Sequence, residues 1–232
     1  MTNELADTAQ RELRLLGPLS PALRKRLSRS SVVHSVAAGT VLFEQGAMPT
    51  FQHLVLAGSA HLFGRSREGR EVMIEIARPG DLVIPAAVAT RSPYLMSARV
   101  LQPSRFLLIE ADVFRAAAAE EPELAQILVL SLAGQFRRLV RQIKNLKLRS
   151  SSERVGSYIL ALSRAQKNPD RVVLPYEKNL IASELGMTRE SFSRTLSALQ
   201  DDGIVVQGDT ILIIDAARLA AVSAPDPLID LD

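Results

Sequence analysis

The sequence LGMTRESFSRTL, residues 185–196, decides the fold of the C-terminal part of the chain. Gly186 tolerates the positive φ that a turn after a helix often needs. Thr188 is a favourable helix N-cap residue. Phe192 and Leu196 lie one helical turn apart, so we expect them to face a core from one stripe of the helix. The pattern predicts a turn followed by an amphipathic helix.

The opposite face of this helix is polar and suits the major groove of DNA. There Arg can donate two hydrogen bonds to guanine, and Glu can accept one from the amino group of cytosine. Arg194 and Glu190 are the main base-contacting candidates, and Ser193 and Arg189 could contact either a base or a phosphate. The predicted DNA-binding residues are Thr188, Arg189, Glu190, Ser191, Ser193 and Arg194. Taken alone, the stretch also fits an ordinary helix with a solvated charged face.

The flanking residues favour DNA binding. Residues 176–185 have the apolar spacing of a first helix. The β-rich runs 204–206 and 210–214 follow, and Gly208 and Asp209 between them are a hairpin signal. Two helices around a turn and then a hairpin predict a winged helix-turn-helix.

The segment LIASELGMTRESFSRTLSALQDDGIV, residues 180–205, resembles the DNA-binding part of the CRP/FNR family of bacterial transcription regulators. Its lead-in, LPYEKNLIASELGM at 174–187, is most similar to the DNR/NnrR branch, which responds to nitrogen oxides. The resemblance implies a homodimer that binds a TTGA-like palindrome, with Arg194 on the guanine. It also implies double-stranded DNA and RNA polymerase as partners.

Composition narrows the class of protein. The chain has 232 residues, 47% of them hydrophobic, which is enough for a sizeable core. It has no cysteine, so neither a disulfide nor the iron–sulfur cluster of some FNR-like proteins is available. The N-terminus lacks the features of a signal peptide, and no apolar run could span a bilayer, so we predict a cytoplasmic protein without membrane contact.

Charge argues less clearly for DNA. The net charge is only +3, and acidic residues outnumber basic ones around the predicted DNA-contacting helix. We therefore expect some phosphate contacts to come from outside this segment, for example from Arg154 and Arg164.

Residues 31–109 form short β-rich runs separated by Gly and Pro, which predicts a β-sandwich or barrel. In the run at 53–56, Leu54 and Leu56 alternate with His53 and Val55, as expected where one face is buried. The following segments resemble, in order, the cyclic-nucleotide-binding β-roll of the CRP/FNR family: GTVLFEQG at 39–46, LVLAGSAHLF at 54–63, REVMIEIARPGD at 70–81 and FLLIEADVF at 106–114.

The nucleotide-binding residues of that family are absent. The family has a Gly-Glu pair that holds the ribose and an Arg-Ser-Ala stretch that neutralises the phosphate. The corresponding places here read Ile84-Pro85-Ala86-Ala87 and Met96-Ser97-Ala98. Arg91 and Arg99 lie nearby in sequence but not at the matching position. A buried phosphate without a cation is costly, so the sequence argues against cyclic AMP.

A long helix is predicted from Leu124 to Ser150. An apolar stripe with alternating steps of four and three residues predicts a coiled-coil-like seam. The predicted dimerisation residues are Leu132, Phe136, Leu139, Ile143 and Leu146. In the CRP/FNR family the partner is the same helix of a second subunit; the alternative is packing on the chain's own β-roll.

Together with the CRP/FNR resemblance, which implies the β-roll and the dimer, these patterns predict an α+β chain with a cyclic-nucleotide-binding-type β-roll, a long dimerisation helix and a C-terminal winged helix-turn-helix. The predicted divisions are 1–115 for N-terminal helices and the β-roll, 116–150 for the dimerisation helix, 151–223 for the DNA-binding domain, and 224–232 for a mobile tail. Ser150–Glu153 is predicted to combine a hinge with a capping box that opens the next helix.

Enzyme activity has no support, because no Gly-x-Ser-x-Gly, P-loop or dinucleotide motif occurs, and no metal-binding spacing of histidines is present. DNR-type regulators sense nitric oxide through haem, whose iron needs an axial ligand. The resemblance therefore suggests haem as a hypothesis, with His34, His53 and His61 as candidate ligands; the alternative is that all three are ordinary strand residues. Two other functions stay open: an effector-independent regulator, and a β-roll module that regulates a protein partner.

Overall fold

The computed structural model describes residues 12–69 and 71–230 and divides the chain into two compact units, Met1–Gln135 and Phe136–Asp232. Residues 1–11 of the predicted first domain and 231–232 of the predicted tail lie outside the described residues. No helix in the described ranges is long and apolar enough to cross a membrane.

The predicted α+β fold is confirmed. The helices are α1 Pro21–Arg29, α2 Pro85–Thr90, α3 Ala111–Glu120, α4 Pro122–Leu148, α5 Ser151–Ala165, α6 Lys178–Glu184, α7 Arg189–Ala198, α8 Ala216–Ser223 and α9 Pro227–Asp230. Short 3₁₀ helices lie at Leu13–Leu16 and Leu199–Asp202. The strands are β1 Ser31–Val36, β2 Val41–Phe43, β3 Phe51–Ala57, β4 Ala60–Arg65, β5 Glu71–Ala77, β6 Leu82–Val83, β7 Ser97–Arg99, β8 Ser104–Glu110, β9 Arg171–Val173, β10 Ile204–Gln207 and β11 Thr210–Ile213.

Two antiparallel four-stranded sheets build the β-roll of the first unit. Their strand orders are β1-β8-β3-β6 and β2-β7-β4-β5. Val55, Phe106 and Val83 of the first sheet pack with Leu62 and Ala98 of the second in one buried cluster. This cluster is the interior of the roll.

The prediction that the run at 53–56 is buried on only one face is wrong for strand β3. Both Leu54 and Val55 are fully buried. Leu54 joins a cluster with Leu23 and Leu27 of α1 and Phe114 of α3, whereas Val55 faces the interior of the roll. A central strand covered by helices on one side and a second sheet on the other has no solvent face, so the apparent alternation was misleading.

Helix α2 begins and ends with unusual backbone conformations. Ile84, just before it, has φ +41°, and Arg91, just after it, has φ +53°. Both lie in the left-handed region, where a β-branched residue such as Ile is rare. Ala87 and Val88 are buried, and Arg115 of α3 donates to the carbonyl of Val88 at 3.2 Å. These tertiary contacts hold a helix that local sequence signals did not predict.

The second unit has its own core and begins its main helices as predicted. The predicted capping box is confirmed: Ser150 Oγ accepts from the Glu153 amide, and the Glu153 carboxylate accepts from the Ser150 amide. Strands β10, β11 and β9 form a three-stranded antiparallel sheet in that order. Ile159 of α5, Phe192 of α7 and Ile211 of β11 are fully buried in one cluster.

The long helix α4 and the C-terminal residues differ in detail from the sequence prediction. The predicted dimerisation segment 116–150 includes the end of α3 as well as the whole of α4. The prediction of a mobile tail without packing partners is wrong for residues 224–230. They include α9, and Asp230 forms a nearly buried ion pair with Arg149 at 2.6 Å.

Candidate nucleic-acid interface

The turn between α6 and α7 is tight and depends on Gly186. This residue has φ +65°, and its amide donates to the carbonyl of Ser183 at 3.1 Å. A Cβ at this position would overlap Cδ2 of Leu146 in α4. Glycine is therefore required both for the backbone conformation and for the close approach of the turn to α4.

The apolar side of α7 anchors the helix in the second unit. Phe192 and Leu199 are fully buried, and Leu196 is nearly so. The buried hydroxyl of Thr195 donates to the carbonyl of Ser191 at 2.8 Å, which removes its need for another partner. These buried side chains fix the rotation of α7 about its own axis, so the opposite face of the helix points to solvent.

The outward face carries the residues predicted to contact DNA. Thr188, Arg189, Glu190, Ser193 and Arg194 are exposed, and Ser191 is half-buried. Their roles as DNA contacts stay a prediction, but the structure places them together over the first turns of α7.

Short hydrogen bonds order this face. Thr188 Oγ1 accepts from the Ser191 amide at 3.2 Å and so caps the helix. Thr188 Oγ1 and Ser191 Oγ lie 3.2 Å apart, and Arg194 Nη2 donates to Ser191 Oγ at the same distance. Hydrogen bonds from the backbone amide of Glu190 itself and from Thr188 lower the pKa of the Glu190 carboxyl, so it is ionised at neutral pH.

The hairpin β10–β11 forms the wing. Gly208, with φ +62° and open space around it, makes the turn. The carbonyl of Asp209 accepts from the Leu174 amide at 2.9 Å and ties the wing to the residues after β9.

Two proposed phosphate contacts are engaged within the chain. Arg154 donates to the carbonyl of Arg149 at 2.8 Å, and Arg164 to the carbonyl of Asp230 at 3.3 Å. Arg154 is half-buried, whereas Arg164 remains exposed. Sequence reasoning missed these hydrogen bonds because their partners lie in a junction and in the C-terminal segment.

In the first unit, Ser97 and the nearby Arg99 bond to carboxylates of the chain itself. The buried Ser97 hydroxyl donates to the Glu44 carboxylate at 2.8 Å and accepts from the Gln45 amide at 2.9 Å. Arg99 forms two hydrogen bonds with Glu71 and stacks over the ring of Phe63 at 4.6 Å. No sequence pattern indicated that a carboxylate of the chain itself would bond to Ser97.

The three histidines lie in different surroundings. His34 and His53 line one cavity of about 460 Å³ with aromatic walls that include Phe43 and Tyr94. His61 is buried elsewhere and its Nε2 lies 3.0 Å from Ser59 Oγ. Burial lowers the pKa of His53 to about 4, and burial together with Arg78 lowers that of His61 to about 4. No cluster of three or more possible metal ligands occurs among the described side chains.

Comparison with known proteins agrees with both units. A cyclic nucleotide-binding domain matches residues 33–121, and a Crp-like helix-turn-helix domain matches residues 153–222. A CRP-like cAMP-activated global transcriptional regulator from Mycobacterium tuberculosis is 25% identical over 187 residues, which cover 78% of this chain and 84% of that protein. The chain belongs to the CRP/FNR family.

Two other similar proteins support the same architecture. The nitrogen fixation regulation protein FixK from Azorhizobium caulinodans is 28% identical over 158 residues, 66% of this chain and 62% of that protein. The structure of FixK2 from Bradyrhizobium japonicum has a TM-score of 0.70 at 20% identity and covers 84% of this chain and 98% of that one. This CRP/FNR protein is a DNA-binding transcription regulator, and α5 to α8 fall in the matched DNA-binding domain. Its assignment to the DNR/NnrR branch stays a prediction.

The predicted dimerisation stripe of this CRP/FNR regulator lies largely open to solvent within the single chain. Phe136 is 68% exposed and Ile143 57%, whereas Leu132 is half-buried. Leu139 and Leu146 are 37% and 40% exposed. Val129, also exposed, extends the stripe by one step toward the N-terminus of α4.

Proposed function

We propose that this CRP/FNR regulator binds a TTGA-like palindrome as a homodimer, with α7 of each protomer in the major groove. The observation that carries the proposal is the exposed, internally hydrogen-bonded face of Arg194, Ser191 and Thr188 beside the ionised Glu190. Arg194 would donate to guanine, and Glu190 would accept from cytosine. The two helices would contact half-sites about one helical turn apart.

The apolar stripe on α4 supports the homodimer. A monomeric protein rarely exposes a contiguous apolar surface of this kind. The exposed side chains of Phe136, Leu139 and Ile143 follow the spacing of a two-helix seam, so a second copy of α4 would cover them. A dimer on DNA would then act on transcription by contact with RNA polymerase.

The proposal is tested by fluorescence anisotropy with a labelled TTGA palindrome. Arg194→Ala should weaken binding by about 1–3 kcal/mol and reduce discrimination at the guanine position. Arg67→Ala is the control, because it removes another exposed arginine, in the β4–β5 turn. Full discrimination by Arg194→Ala, or an equal loss in Arg67→Ala, would contradict the assignment.

A second test addresses the dimer. Ile143→Asp places a charge on the proposed seam, and we expect the variant to be monomeric in sedimentation and to lose binding to the palindrome. A dimer that survives this substitution would exclude the α4 seam. Thr90→Asp, which places the same charge at an exposed position of α2, serves as the control.

Cyclic AMP does not fit the β-roll. A carboxylate of the chain, Glu44, accepts from the Ser97 hydroxyl. The stretch Ile84-Pro85-Ala86-Ala87, which by the resemblance corresponds to the ribose-binding place, has no carboxylate. A phosphate brought to Ser97 would meet negative charge without a matching arginine. We expect the DNA affinity to be the same with and without cyclic AMP, and an increase on its addition would refute this point.

Haem is the effector group that the DNR-like resemblance suggests, and His53 fits it best among the histidines. A neutral imidazole is needed to ligate iron, and the lowered pKa of His53 keeps it neutral at pH 7. Its Nδ1 has no hydrogen-bond partner among the described residues, and its ring lines the aromatic cavity. Bound haem would supply an iron that binds nitric oxide, with His53 or the neighbouring His34 as ligand.

Titration of the purified protein with haem tests this. The Soret band should be weakened by His53→Ala and retained by His61→Ala, since His61 is hydrogen-bonded to Ser59 outside the cavity. If no band forms and DNA affinity is insensitive to candidate ligands, an effector-independent regulator is the better description. The match of residues 153–222 to a DNA-binding domain disfavours the other alternative, a β-roll module acting on a protein partner.

A further inference from the structure

The C-terminal residues 224–230, which we name the C-terminal strap, return to the end of α4. Arg149, the first residue after α4, donates from Nη1 and Nη2 to the two carboxylate oxygens of Asp230 at 2.7 and 2.6 Å. The side chains of Arg149 and Asp230 are only 6% and 10% exposed. A two-point ion pair shielded from water has a well-defined geometry and is costly to break from one side.

Further contacts orient the strap. Asp230 also accepts from the Asp226 amide at 2.8 Å, and its carbonyl accepts from Arg164 of α5 at 3.3 Å. Lys144 of α4 lies 3.7 Å from the Asp226 carboxylate. The strap thus bonds to the end of α4 and to α5 at once.

The start of the strap is held by close packing. Ser223, the last residue of α8, is fully buried, and its carbonyl accepts from the Ser157 hydroxyl of α5 at 3.2 Å. A Cβ on Gly156 would overlap the Ser223 hydroxyl. The strap therefore leaves α8 from a fixed point rather than from a loose end.

A second contact joins α4 to the DNA-binding domain on the helix-turn-helix side. Leu146 of α4 fills the space left by the missing side chain of Gly186 in the turn before α7. Consistent with both contacts, the second compact unit begins at Phe136, so residues 136–148 of α4 group with the DNA-binding domain. Arg149 and Ser150 lie between α4 and α5, inside this unit rather than at its border.

We propose that the C-terminal strap, through the Arg149–Asp230 pair, fixes the orientation of α7 relative to the dimerisation stripe on α4. The functional part of this inference rests on the proposed function, because the stripe matters for DNA only in a homodimer. Ile143 and Leu146 of the stripe lie on the helix that Arg149 follows. An altered angle at this junction would change the separation of the two α7 helices, and with it the fit to half-site spacing.

The strap is an addition to the domain rather than part of its core. The match to the Crp-like domain ends at residue 222, and the buried cluster of the second unit ends at Leu219. Loss of the Arg149–Asp230 pair should therefore loosen the junction while the cluster around Phe192 stays folded. The effect of the Arg149–Asp230 pair on the orientation of α7 can therefore be measured in a variant whose DNA-binding domain is still folded.

The test uses the full chain and takes advantage of its lack of cysteine. Spin labels at Lys147→Cys in α4 and Ser197→Cys in α7, both exposed, report the distance between the two helices within one protomer when labelled chains are diluted with unlabelled ones. We expect Asp230→Asn to at least double the width of the distance distribution. Asp170→Asn, an exposed acid of the same unit, should leave it unchanged.

Anisotropy with TTGA palindromes of three half-site spacings provides the functional readout. We expect Asp230→Asn to bind the preferred spacing at least fivefold more weakly and to discriminate less among spacings, and the double substitution Arg149→Asp, Asp230→Arg to recover part of the loss. An unchanged distance distribution in Asp230→Asn, with the domain still folded, would overturn the inference. A wild-type protein that ignores the palindrome would instead refute the proposed function, and the distance measurement would still decide the role of the strap.

Discussion

Substitution of Gly186 by alanine separates two reasons for glycine in the helix-turn-helix. The first is the backbone, because φ is +65° there. The second is space, because the new methyl group would overlap Cδ2 of Leu146, while Cγ and Cδ1 of that side chain would lie at 3.5 and 3.7 Å. Only one methyl group of Leu146 has to move, and Leu146 is 40% exposed, so the side chain has room to turn toward solvent.

The magnitude follows from these two contributions. A left-handed backbone costs an alanine about 1–2 kcal/mol. Overpacking costs about 1–3 kcal/mol in a tight core, and the lower end applies here because the displaced group is the end of a half-exposed side chain. We expect Gly186→Ala to lower the free energy of unfolding of the second unit by about 2–3 kcal/mol.

Gly208 provides a matched control within the same unit. Its φ is +62°, close to that of Gly186, and nothing lies within 4 Å of an added Cβ. Gly208→Ala should therefore cost only the backbone share, about 1–2 kcal/mol. In a Leu146→Ala background the cost of Gly186→Ala should fall to the same value.

Hydrogen exchange on peptides from residues 151–223, measured for the four single and double variants, gives the local free energies. The reasoning fails if Gly186→Ala costs no more than Gly208→Ala. It also fails if the excess cost persists after Leu146 is shortened, because the overlap would then not be its cause.

Three further predictions follow from local chemistry. Thr188→Ala should lower the free energy of unfolding by about 1 kcal/mol, because the Ser191 amide loses its N-cap. It should also raise the pKa of Glu190 toward its ordinary value, as measured by NMR titration. Thr188→Ser should have neither effect. Arg91→Gly should stabilise the first unit by up to about 1 kcal/mol in urea unfolding, because φ +53° suits glycine and the lost side chain is exposed. The control Thr90→Gly, at a helical position of α2, should instead destabilise the first unit. His53 has a folded-state pKa of about 4, whereas its ordinary value is 6.5. Between these two pH values the unfolded chain therefore binds more protons than the folded chain. The free energy of unfolding should fall as the pH drops from 6.5 to 4, by up to about 1.4 kcal/mol per pH unit. His53→Gln should show a shallower loss in thermal unfolding over this window, and an unchanged slope would contradict the burial of a neutral His53.

The elements that sequence predicted well are those whose signals are local. Thr188 caps α7 by accepting a hydrogen bond from the amide of Ser191, only three residues away. Gly186 adopts its positive φ without strain, so no distant contact is needed to hold it. The same holds for the capping box of Ser150 and Glu153. Phe192 and Leu196 are buried on one face of α7. Arg194 therefore points to solvent, because it lies on the opposite face of the same helix.

Features that depend on distant contacts were not predictable. Helix α2 is bounded by Ile84 and Arg91, neither of which favours the left-handed backbone it adopts. The pairing of Ser97 with Glu44 joins residues 53 positions apart, so no pattern of spacing could reveal it. The resemblance predicts that the nucleotide-binding residues are absent, but it could not reveal that the Glu44 carboxylate pairs with Ser97.

The junction at Ser150 shows most clearly how a local prediction can be reversed from a distance. Small polar residues between two helices predict a hinge, because their own backbone is easily moved. A hinge also requires that nothing else join the elements on its two sides. Asp230, 81 residues from Arg149, supplies such a connection with a shielded two-point ion pair. Flexibility at Ser150 therefore depends on the strap as well as on the loop. Neutralising Asp230 should loosen the junction, while the contact of Leu146 with Gly186 still joins α4 to the helix-turn-helix.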